Sequence, residues 1–453
     1  MATYQLNSAD LVTLLSSSSS SGSNTAILQF LSNSGGLPSA SGSSTNVQTL
    51  TSPSGGGDTL TGGQIDVVAV PAPSAGSTVP AATFNFVSSG GGLIVAGNEP
   101  ATVIDTGSGT DTLVGGSGAQ RLVSASGANV LLGGTGPNTL VGGTGADTLT
   151  GGGESRLVAG SGKQLLTGGA TGGAHDTLVG GSGADLLSVA MGSNRLVAGT
   201  GLNTLVGGSG FDTLLGGGKS SLVAGSGTEL LRGGLTAGAT DTLMGGVGAD
   251  RLVAVHGDNS LVGGSGLNTL VGGSGNDTLV GGGHSRLVAG SGGDTLVTSS
   301  NPGGSDTLVG GAGADHLIAT VGDNRLVSGS GMNTLSAGAG NDTLVAGSAS
   351  AVTMIGGSGV FRMVDLTGAA ATLVGGSGGG QAVLGATGDD SLMGGSGGIN
   401  ISSQQSSVDL KSNSSTAVGG LHTLTFTDGQ TITVNDVNSN ITIHFADGGS
   451  TTV

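Results

Sequence analysis

The sequence predicts an all-β protein, a parallel β-solenoid built from nine-residue units. An apolar residue, usually leucine, recurs at about every ninth position through most of the chain, and a glycine-rich turn precedes each one. The composition also departs from that of a globular protein, because the 453 residues include 99 Gly, one Tyr and no Trp. With so few bulky side chains, the apolar residues must be buried at regular intervals along the chain.

The leucines define a longer period. After Leu113 most steps between central leucines span nine positions, and a longer step closes the series: Leu122, Leu131, Leu140, Leu149, Leu157, Leu166 and Leu178. The cycle restarts at Leu178, Leu243, Leu308 and Leu373, so seven units form one 65-residue super-repeat. Four super-repeats therefore run from about residue 113 to residue 372. A flexible linker has no reason to keep leucine in phase over such a length.

Each unit has the pattern G-G-x-G-x-(D/N)-x-L-x, and its two halves require different backbones. The glycines permit a tight turn, and the apolar triplet, such as residues 278–280, suits a short strand. Because side chains alternate along a strand, Leu points inward and its two neighbours point outward. The sequence therefore predicts an interior ladder in which leucine stacks on leucine.

The formal net charge of −17, from 28 acidic and 11 basic residues, predicts an acidic surface. Such a surface repels phosphate, so we expect no nucleic-acid partner. No stretch is apolar and long enough for membrane insertion, and the N-terminus lacks the pattern of a cleaved secretory signal. The absence of Cys excludes a disulfide scaffold and a zinc–thiolate site.

The sequence also predicts that the protein is not an enzyme. The six His residues show no H-E-x-x-H or other metal-ligand spacing, and no G-x-S-x-G motif is present. Glycine patterns that resemble dinucleotide-binding fingerprints lack the strand–turn–helix context and follow from the repeat.

Six units match the strict form of the motif, beginning at residues 142, 180, 207, 245, 272 and 310. They resemble the repeats-in-toxin (RTX) nonapeptides of secreted bacterial proteins. The resemblance implies a parallel β-roll with two nine-residue units per coil, and hence about 17 coils between positions 90 and 398. Three units per coil would bring different Asp residues together. It also implies export by type I secretion machinery and an extracellular location, at the cell surface or in the matrix of a bacterium.

The resemblance further implies Ca²⁺ between successive coils, held by Asp carboxylates and backbone carbonyls from units two apart. The sixth positions on one side alternate between carboxylates and neutral residues, as at Asp111, Asn129, Asp147 and Gln164, so we expect weak or partial calcium binding, or none. Asp277 with Asp294 forms the best pair. The alternative is that these side chains cap their own turns. The candidate metal ligands are Asp111, Asp147, Asp185, Asp212, Asp250, Asp277, Asp294, Asp315 and Asp342.

The positions beside each Leu predict the outer surface. Pairs such as Thr112 and Val114, or Thr269 and Val271, predict a lengthwise stripe of exposed Val, which is typical of an interaction surface. The alternative is that Val is there for its β-propensity alone. Arginines interrupt the pattern at residues 156, 195, 286 and 325.

Three regions are expected: an irregular Ser/Gly-rich arm or docking region at 1–89, the solenoid at 90–398, and a C-terminal β-hairpin cap with a secretion signal at 399–453. The cap is predicted from alternating apolar and polar residues around the turn signals Asp428-Gly429 and Asp447-Gly448. The leading functional hypothesis is a secreted structural protein that associates with itself into filaments or a surface or matrix layer. The alternatives are a calcium-dependent monomeric adhesion stalk or binding module and, less favoured, an ice-binding protein.

Overall fold

A computed structural model describes residues 3–6, 45–48, 58–60, 65–67, 82–88, 93–95, 101–301, 303–347, 351–405, 410–415, 421–428, 430–435 and 442–452. The chain divides into two compact units, Met1–Ser220 and Ser221–Val453. Each unit is a parallel β-solenoid, and the two together make about 17 turns. In the described part of the chain no helix could span a membrane.

Each coil contributes one short strand to each of two parallel sheets, which we call the first and the second sheet. Leu131 is in register with Leu113 on the preceding coil and with Leu149 on the following coil, and each of these lies two units away along the chain. Two nine-residue units therefore make one coil, which confirms the prediction and excludes a coil of three units.

In the N-terminal unit the first sheet contains β4 (Ile65–Val67), β6 (Leu93–Val95), β8 (Thr112–Val114), β10 (Val130–Leu132), β12 (Thr148–Thr150), β14 (Leu165–Thr167), β16 (Leu186–Ser188) and β19 (Asn203–Val206). The second sheet contains β3 (Asp58–Leu60), β5 (Ala82–Ser88), β7 (Ala101–Asp105), β9 (Arg121–Ser124), β11 (Thr139–Val141), β13 (Arg156–Val158), β15 (Thr177–Val179), β18 (Arg195–Val197) and β21 (Thr213–Leu215). Two further pairs are β1 (Thr3–Leu6) with β2 (Thr45–Gln48), and β17 (Met191–Gly192) with β20 (Ser209–Gly210).

In the C-terminal unit the first sheet contains β22 (Ser220–Val223), β24 (Thr242–Met244), β26 (Ser260–Val262), β28 (Thr278–Val280), β30 (Thr295–Val297), β32 (His316–Ile318), β34 (Asn333–Ser336), β36 (Val352–Ile355), β38 (Ala371–Val374), β40 (Asp390–Met393), β42 (Leu410–Ser415), β43 (Leu421–Phe426) and β44 (Thr431–Asn435). The second sheet contains β23 (Leu230–Arg232), β25 (Arg251–Val253), β27 (Thr269–Val271), β29 (Arg286–Val288), β31 (Thr307–Val309), β33 (Arg325–Val327), β35 (Asp342–Val345), β37 (Phe361–Asp365), β39 (Gly380–Leu384), β41 (Ile399–Ser403), β45 (Thr442–His444) and β46 (Ser450–Thr452).

The leucine ladder is present as predicted. Leu113, Leu122, Leu131 and Leu140 are fully buried, and so is every central leucine from Leu149 to Leu344. Each stacks on its counterpart one coil away, so the core is a narrow column between the two sheets. A fully buried Leu contributes roughly 1.5–3 kcal/mol by transfer from water.

The super-repeat has an odd number of units, and this determines how it lies on the two sheets. Seven units fill three and a half coils, so successive super-repeats begin on opposite sheets. In the N-terminal unit, Leu113 is on β8 of the first sheet and Leu178 is on β15 of the second. In the C-terminal unit, Leu243, Leu308 and Leu373 lie on the first, second and first sheets in turn.

Successive coils approach so closely at their turns that only glycine fits at several positions. A Cβ added to Gly282 would overlap the carbonyl oxygen of Gly264 on the preceding coil. The glycines of the motif therefore allow turn-to-turn stacking as well as turn formation.

The outward positions differ from the prediction at one residue. Val141, Val206 and Val271 are half-buried, since each is flanked by outward residues on the neighbouring coils. Val114, by contrast, is buried, with 3% of its surface exposed. The prediction of an exposed side chain was wrong at this position, because alternation gives the direction of a side chain and not what covers it.

The two ends of the chain are less regular. Strands β3 and β4 precede residue 90 and pair in parallel with β5 and β6, so coil-like pairing begins inside the segment expected to be an arm. At the other end β43 pairs antiparallel with β44, and β45 with β46, through turns that contain Asp428 and Asp447. The hairpins expected from the turn signals are therefore present; most of residues 1–89 lies outside the described part, and the three region boundaries stay predictions.

Candidate metal site

The sixth residue of each unit points inward at the end of its turn, immediately before the strand. These side chains form two rows, which we call the first row and the second row after the sheets whose strands they precede. All nine Asp residues predicted as metal ligands are buried, with at most 2% of their surface exposed. The first row holds Asp111, Asp147, Asp185, Asp277, Asp294 and Asp315, and the second holds Asp212, Asp250 and Asp342.

The two oxygens of a typical row carboxylate accept different hydrogen bonds. Oδ1 of Asp185 accepts the backbone N–H of Gln164 on the preceding coil at 3.0 Å, and Oδ2 accepts the N–H of Gly181 in its own turn at 2.8 Å. The same two contacts occur at Asp212, Asp250, Asp294, Asp315 and Asp342. Each carboxylate thus ties its turn to itself and to the coil before it, which is the capping role considered as the alternative to metal binding.

This geometry explains why Asp and Asn alternate at the sixth position. Oδ1 of Asn259 accepts the N–H of Asp241 at 2.9 Å, as a carboxylate would, while its Nδ2 donates to the carbonyl of Gly257 at 2.7 Å. Only the first oxygen must be an acceptor for neighbouring coils to be joined. The other terminal atom of the side chain accepts a backbone N–H when it is the oxygen of Asp, and donates to a backbone carbonyl when it is the nitrogen of Asn.

Asp277 departs from this arrangement. Its Oδ1 accepts the N–H of Asn259 at 2.8 Å, but its Oδ2 is buried and has no hydrogen-bond partner among the described residues. An unsatisfied carboxylate oxygen in the interior is costly unless it is protonated or a cation neutralises it. Burial raises the pKa of Asp277, and the negative charge of Asp294 raises it further.

Asp277, Asp294 and Asp315 occupy the first row on three successive coils. The N–H of Asp277 donates to Oδ1 of Asp294, and the N–H of Asp294 donates to Oδ1 of Asp315. Burial raises the pKa of Asp294, with a further contribution from the charge of Asp315. This stretch of the first row therefore holds three carboxylates in sequence, without an amide between them.

The residues at this stretch suit Ca²⁺ in part. Calcium prefers six to eight oxygen ligands, and carboxylates with nearby turn carbonyls are ligands of the right kind. Asp277 offers a free oxygen, whereas the carboxylates of Asp294 and Asp315 already accept amide hydrogens. No group of three or more His, Asp or Glu side chains lies within reach of one ion anywhere in the described ranges. The residues of this stretch therefore fit a calcium site in which few of the ligands are carboxylates.

The sequence-based prediction missed several carboxylates of the same kind. Asp176, Asp241 and Asp306 follow the longer step that closes each super-repeat, and Oδ2 of each accepts an N–H seven positions earlier instead of four. The glycine pattern is interrupted before them, but the following Thr-Leu marks their position. Burial raises the pKa of Asp390 to about 7. Burial, followed by a hydrogen bond with Asp250, raises the pKa of Glu229 to about 7.

The rows also change the interpretation of the charge. Sixteen of the 28 acidic residues are buried, mostly in the two rows. The acidic residues seen to be exposed are Glu154, Asp258, Asp323, Asp389, Asp428 and Asp447. The strongly negative net charge is therefore largely internal in the described part of the chain, so the expected acidic surface was wrong there. The absence of a nucleic-acid partner stays a prediction, now without that support.

Comparison with known proteins agrees with this geometry. A family model described as the RTX calcium-binding nonapeptide repeat matches residues 103–119, 123–158, 171–201, 190–218, 236–266, 253–283, 262–296, 303–335 and 318–350. A search of curated proteins finds no match to the chain.

Proposed function

Residues 103–350 belong to the RTX calcium-binding nonapeptide repeat family, and from this premise we propose that the chain is an extracellular structural protein that associates with itself side by side into filaments or a layer. Repeats of this family are calcium-binding motifs and are typical of secreted proteins. Export by type I secretion machinery, a bacterial surface or matrix location and the absence of enzymatic activity are parts of the proposal.

The observation that carries the proposal is the outer face of the first sheet, which has no Asp, Glu, Lys or Arg from β8 to β40. In the C-terminal unit one outward column runs Met244, Val262, Val280, Val297, Ile318, Ser336, Ile355, Val374 and Met393. The other column consists of Thr and Ser except for His316. The outward positions of β8 to β19 in the N-terminal unit are likewise uncharged.

The column is apolar on every coil from β24 to β40 except at Ser336. Val280 is in register with Val262 on one side and with Val297 on the other. Met244, Val262 and Met393 have 41%, 36% and 41% of their surface exposed. A contiguous apolar stripe of this kind on a soluble protein usually marks an interaction surface.

A second copy of the chain suits this face, because two sheets with apolar and hydroxyl-bearing columns pack face to face without burying charge. The second sheet is less suitable for self-association, since its outer face carries arginines that would repel their counterparts. We therefore assign the contact between copies to the first sheet.

The proposal is tested by placing a charge on each sheet in turn. Val280→Lys puts an ammonium group in the apolar column of the first sheet, and Val288→Lys puts the same group at the equivalent strand position of the second sheet. We expect negative-stain microscopy to show filaments or layers for the natural protein and for Val288→Lys, and dispersed particles for Val280→Lys. Circular dichroism verifies that both variants keep their strand content. Dispersed natural protein at every calcium concentration, or assembly of Val280→Lys, would contradict the proposal.

A calcium-dependent monomeric stalk is the second candidate, and the unpartnered Oδ2 of Asp277 favours it. Asp277, with backbone carbonyls of the neighbouring turns, would hold the ion, which would supply positive charge to this buried stretch. A stalk of this type unfolds when calcium is withdrawn. A filament protein that relies on its leucine ladder stays folded, so calorimetry with a chelator distinguishes the two.

A further inference from the structure

All eight arginines of the chain lie on one sheet. Each occupies an outward position of a second-sheet strand and is exposed, and no outward position of the first sheet from β8 to β40 carries a Lys or Arg. The arginines are Arg121, Arg156 and Arg195 in the N-terminal unit, and Arg232, Arg251, Arg286, Arg325 and Arg362 in the C-terminal unit.

Within each unit the arginines other than Arg232 alternate with threonine in a straight column, whereas Arg232 is in register with Val253 in the neighbouring column. In the C-terminal unit Thr269 is in register with Arg251 and Arg286, and Thr307 is in register with Arg286 and Arg325. In the N-terminal unit Thr139 and Thr177 take the same place between arginines. Neighbouring strands are about 4.8 Å apart, so one guanidinium recurs about every 9.6 Å along the column. We call this column the arginine lane.

The arginine lane follows a period different from that of the solenoid. Leucine, glycine and the row residues recur with every super-repeat and thereby exchange sheets at each step. The arginines at 121, 156 and 195 recur only two super-repeats later, at 251, 286 and 325, on the same sheet. One super-repeat after the first three stand Leu186, Ser221 and Ser260, on first-sheet strands. The solenoid repeat alone therefore does not account for a one-sided lane.

The guanidinium groups of the lane are available to a partner. None of them forms a hydrogen bond or ion pair with another part of the described chain. Most carboxylates that could neutralise them are buried in the two rows, and the exposed acidic residues lie in turns. The second sheet therefore presents an uncompensated line of positive charge on a protein whose net charge is −17.

Beside the lane runs a column of valines. Val253, Val271, Val288, Val309 and Val327 are half-buried and in register on successive coils. A ligand on this face thus meets sparse positive charge, threonine hydroxyls and a strip of apolar surface along one line. These features complement an extended carboxylated polysaccharide. Its sugars carry hydroxyls and apolar ring faces, and its acid groups recur at intervals on one edge.

We propose that the outer face of the second sheet binds an extended polyuronate, with its carboxylates on the arginines and its sugar rings along the threonine and valine columns. The interval of about 9.6 Å between arginines corresponds to every second strand and is close to the length of a disaccharide in an extended chain. Arginine suits the task, because its planar guanidinium binds a carboxylate through two parallel hydrogen bonds.

The spacing favours a polysaccharide over a nucleic acid. Duplex DNA carries one charge per about 1.7 Å of its axis, several times denser than the arginine lane. Single-stranded nucleic acid is usually bound by stacking its bases on aromatic side chains, and the outward positions of the second sheet from β9 to β41 carry none. Nucleic acid is therefore an outcome of the test and not the proposal.

The test is binding of the full-length protein to polygalacturonate at low ionic strength in the presence of a chelator, measured by calorimetry. Neutral dextran and single- and double-stranded DNA are the comparison ligands. The variant Arg286→Gln/Arg325→Gln removes two adjacent charges of the lane. The charge-matched control Lys163→Gln/Lys219→Gln removes two turn charges outside it. Circular dichroism and thermal unfolding verify the fold of both variants.

We expect the natural protein to bind polygalacturonate more tightly than dextran or DNA, with an affinity that falls as salt is added. An exposed ion pair changes affinity about threefold, so the double arginine variant should bind about tenfold more weakly, and the lysine control less than about twofold more weakly. Equal losses in the two variants would attribute binding to net charge and overturn the proposal. No binding to polygalacturonate, equal binding to dextran, or tighter binding to DNA would overturn it as well.

Discussion

Asp277 and Asp294 lie on successive coils of the C-terminal unit, and the backbone N–H of Asp277 donates to Oδ1 of Asp294 at 2.7 Å. Two carboxylates are thus held in one buried row, with the second oxygen of Asp277 left without a partner in the described part of the chain. The same contact that joins the coils brings like charges together. The row is therefore a structural cap, and at Asp277 it also offers a free carboxylate oxygen to a cation.

Asp277→Asn should remove the effect of calcium on stability. If Ca²⁺ binds beside Asp277, the natural protein gains about 2.7 kcal/mol at a calcium concentration one hundred times Kd. Calorimetry with and without calcium measures the gain, which we expect to be absent in the variant. Asp185→Asn is the control, because both oxygens of Asp185 already accept amide hydrogens. A natural protein that melts at the same temperature with calcium and with chelator would exclude this site.

The stability of the metal-free protein should fall as the pH rises from about 4 to 7. Burial, followed by the charge of Asp365, raises the pKa of Asp390 to about 7, while an unfolded Asp titrates near about 3.9. Between these values the native state holds a proton that unfolding releases, so stability is greatest below about pH 4 and is lost toward pH 7. Urea unfolding at both ends of this range measures the effect.

Asp390→Asn should reduce the difference in the free energy of unfolding between pH 4 and pH 7. The reduction is at most about 4 kcal/mol, since one pKa unit is worth about 1.4 kcal/mol. Glu154→Gln is a control, because Glu154 is exposed. Stability that increases from pH 4 to pH 7 in the chelated protein would show that these carboxylates are ionised in the native state.

Leu279→Ala should destabilise the C-terminal unit by about 2–5 kcal/mol, because it opens a cavity between Leu261 and Leu296 in the leucine ladder. Val280→Ala, at the adjacent outward position, should cost only about 1 kcal/mol. Chemical denaturation followed by circular dichroism compares the two. Similar losses of stability in the two variants would mean that the leucine ladder contributes no more to the free energy of unfolding than the outer columns do.

Gly282→Ala should be more damaging than Gly303→Ala. The new Cβ at residue 282 would overlap the carbonyl oxygen of Gly264, which forces neighbouring coils apart at a cost of about 1–3 kcal/mol or more. At residue 303 the nearest atom is Oδ1 of Asn301, 3.9 Å from the added Cβ. Thermal unfolding of the two variants gives the comparison, and equal melting temperatures would show that the coils separate easily.

The interior of the solenoid is predictable from the sequence because its signals are local. The spacing of Leu113, Leu131 and Leu149 predicts the ladder, and Asp428-Gly429 and Asp447-Gly448 predict the hairpin turns. The family resemblance supplied the number of units per coil, which residue spacing alone leaves open. The candidate Asp residues were correctly placed in rows; whether they bind calcium stays a prediction.

The surface is less predictable because it depends on relationships between coils. Assigning Arg156 and Arg286 to the same sheet requires the number of units per coil, the lengths of the intervening steps and the parity of the super-repeat together. The internal position of most acidic charge depends on turn geometry, which composition does not reveal. Val114 illustrates the same limit, since a side chain that points outward is exposed only if nothing packs over it.

The odd number of units per super-repeat constrains how this protein can change its length in evolution. Removal of the single super-repeat between Leu243 and Leu308 would leave the leucine column in phase but transfer the following strands to opposite sheets. Arg325 and Arg362 would then stand among the uncharged residues of the first sheet. Gains and losses of super-repeats in pairs keep both surfaces intact, so homologues of different length should differ by whole pairs wherever both surfaces are under selection.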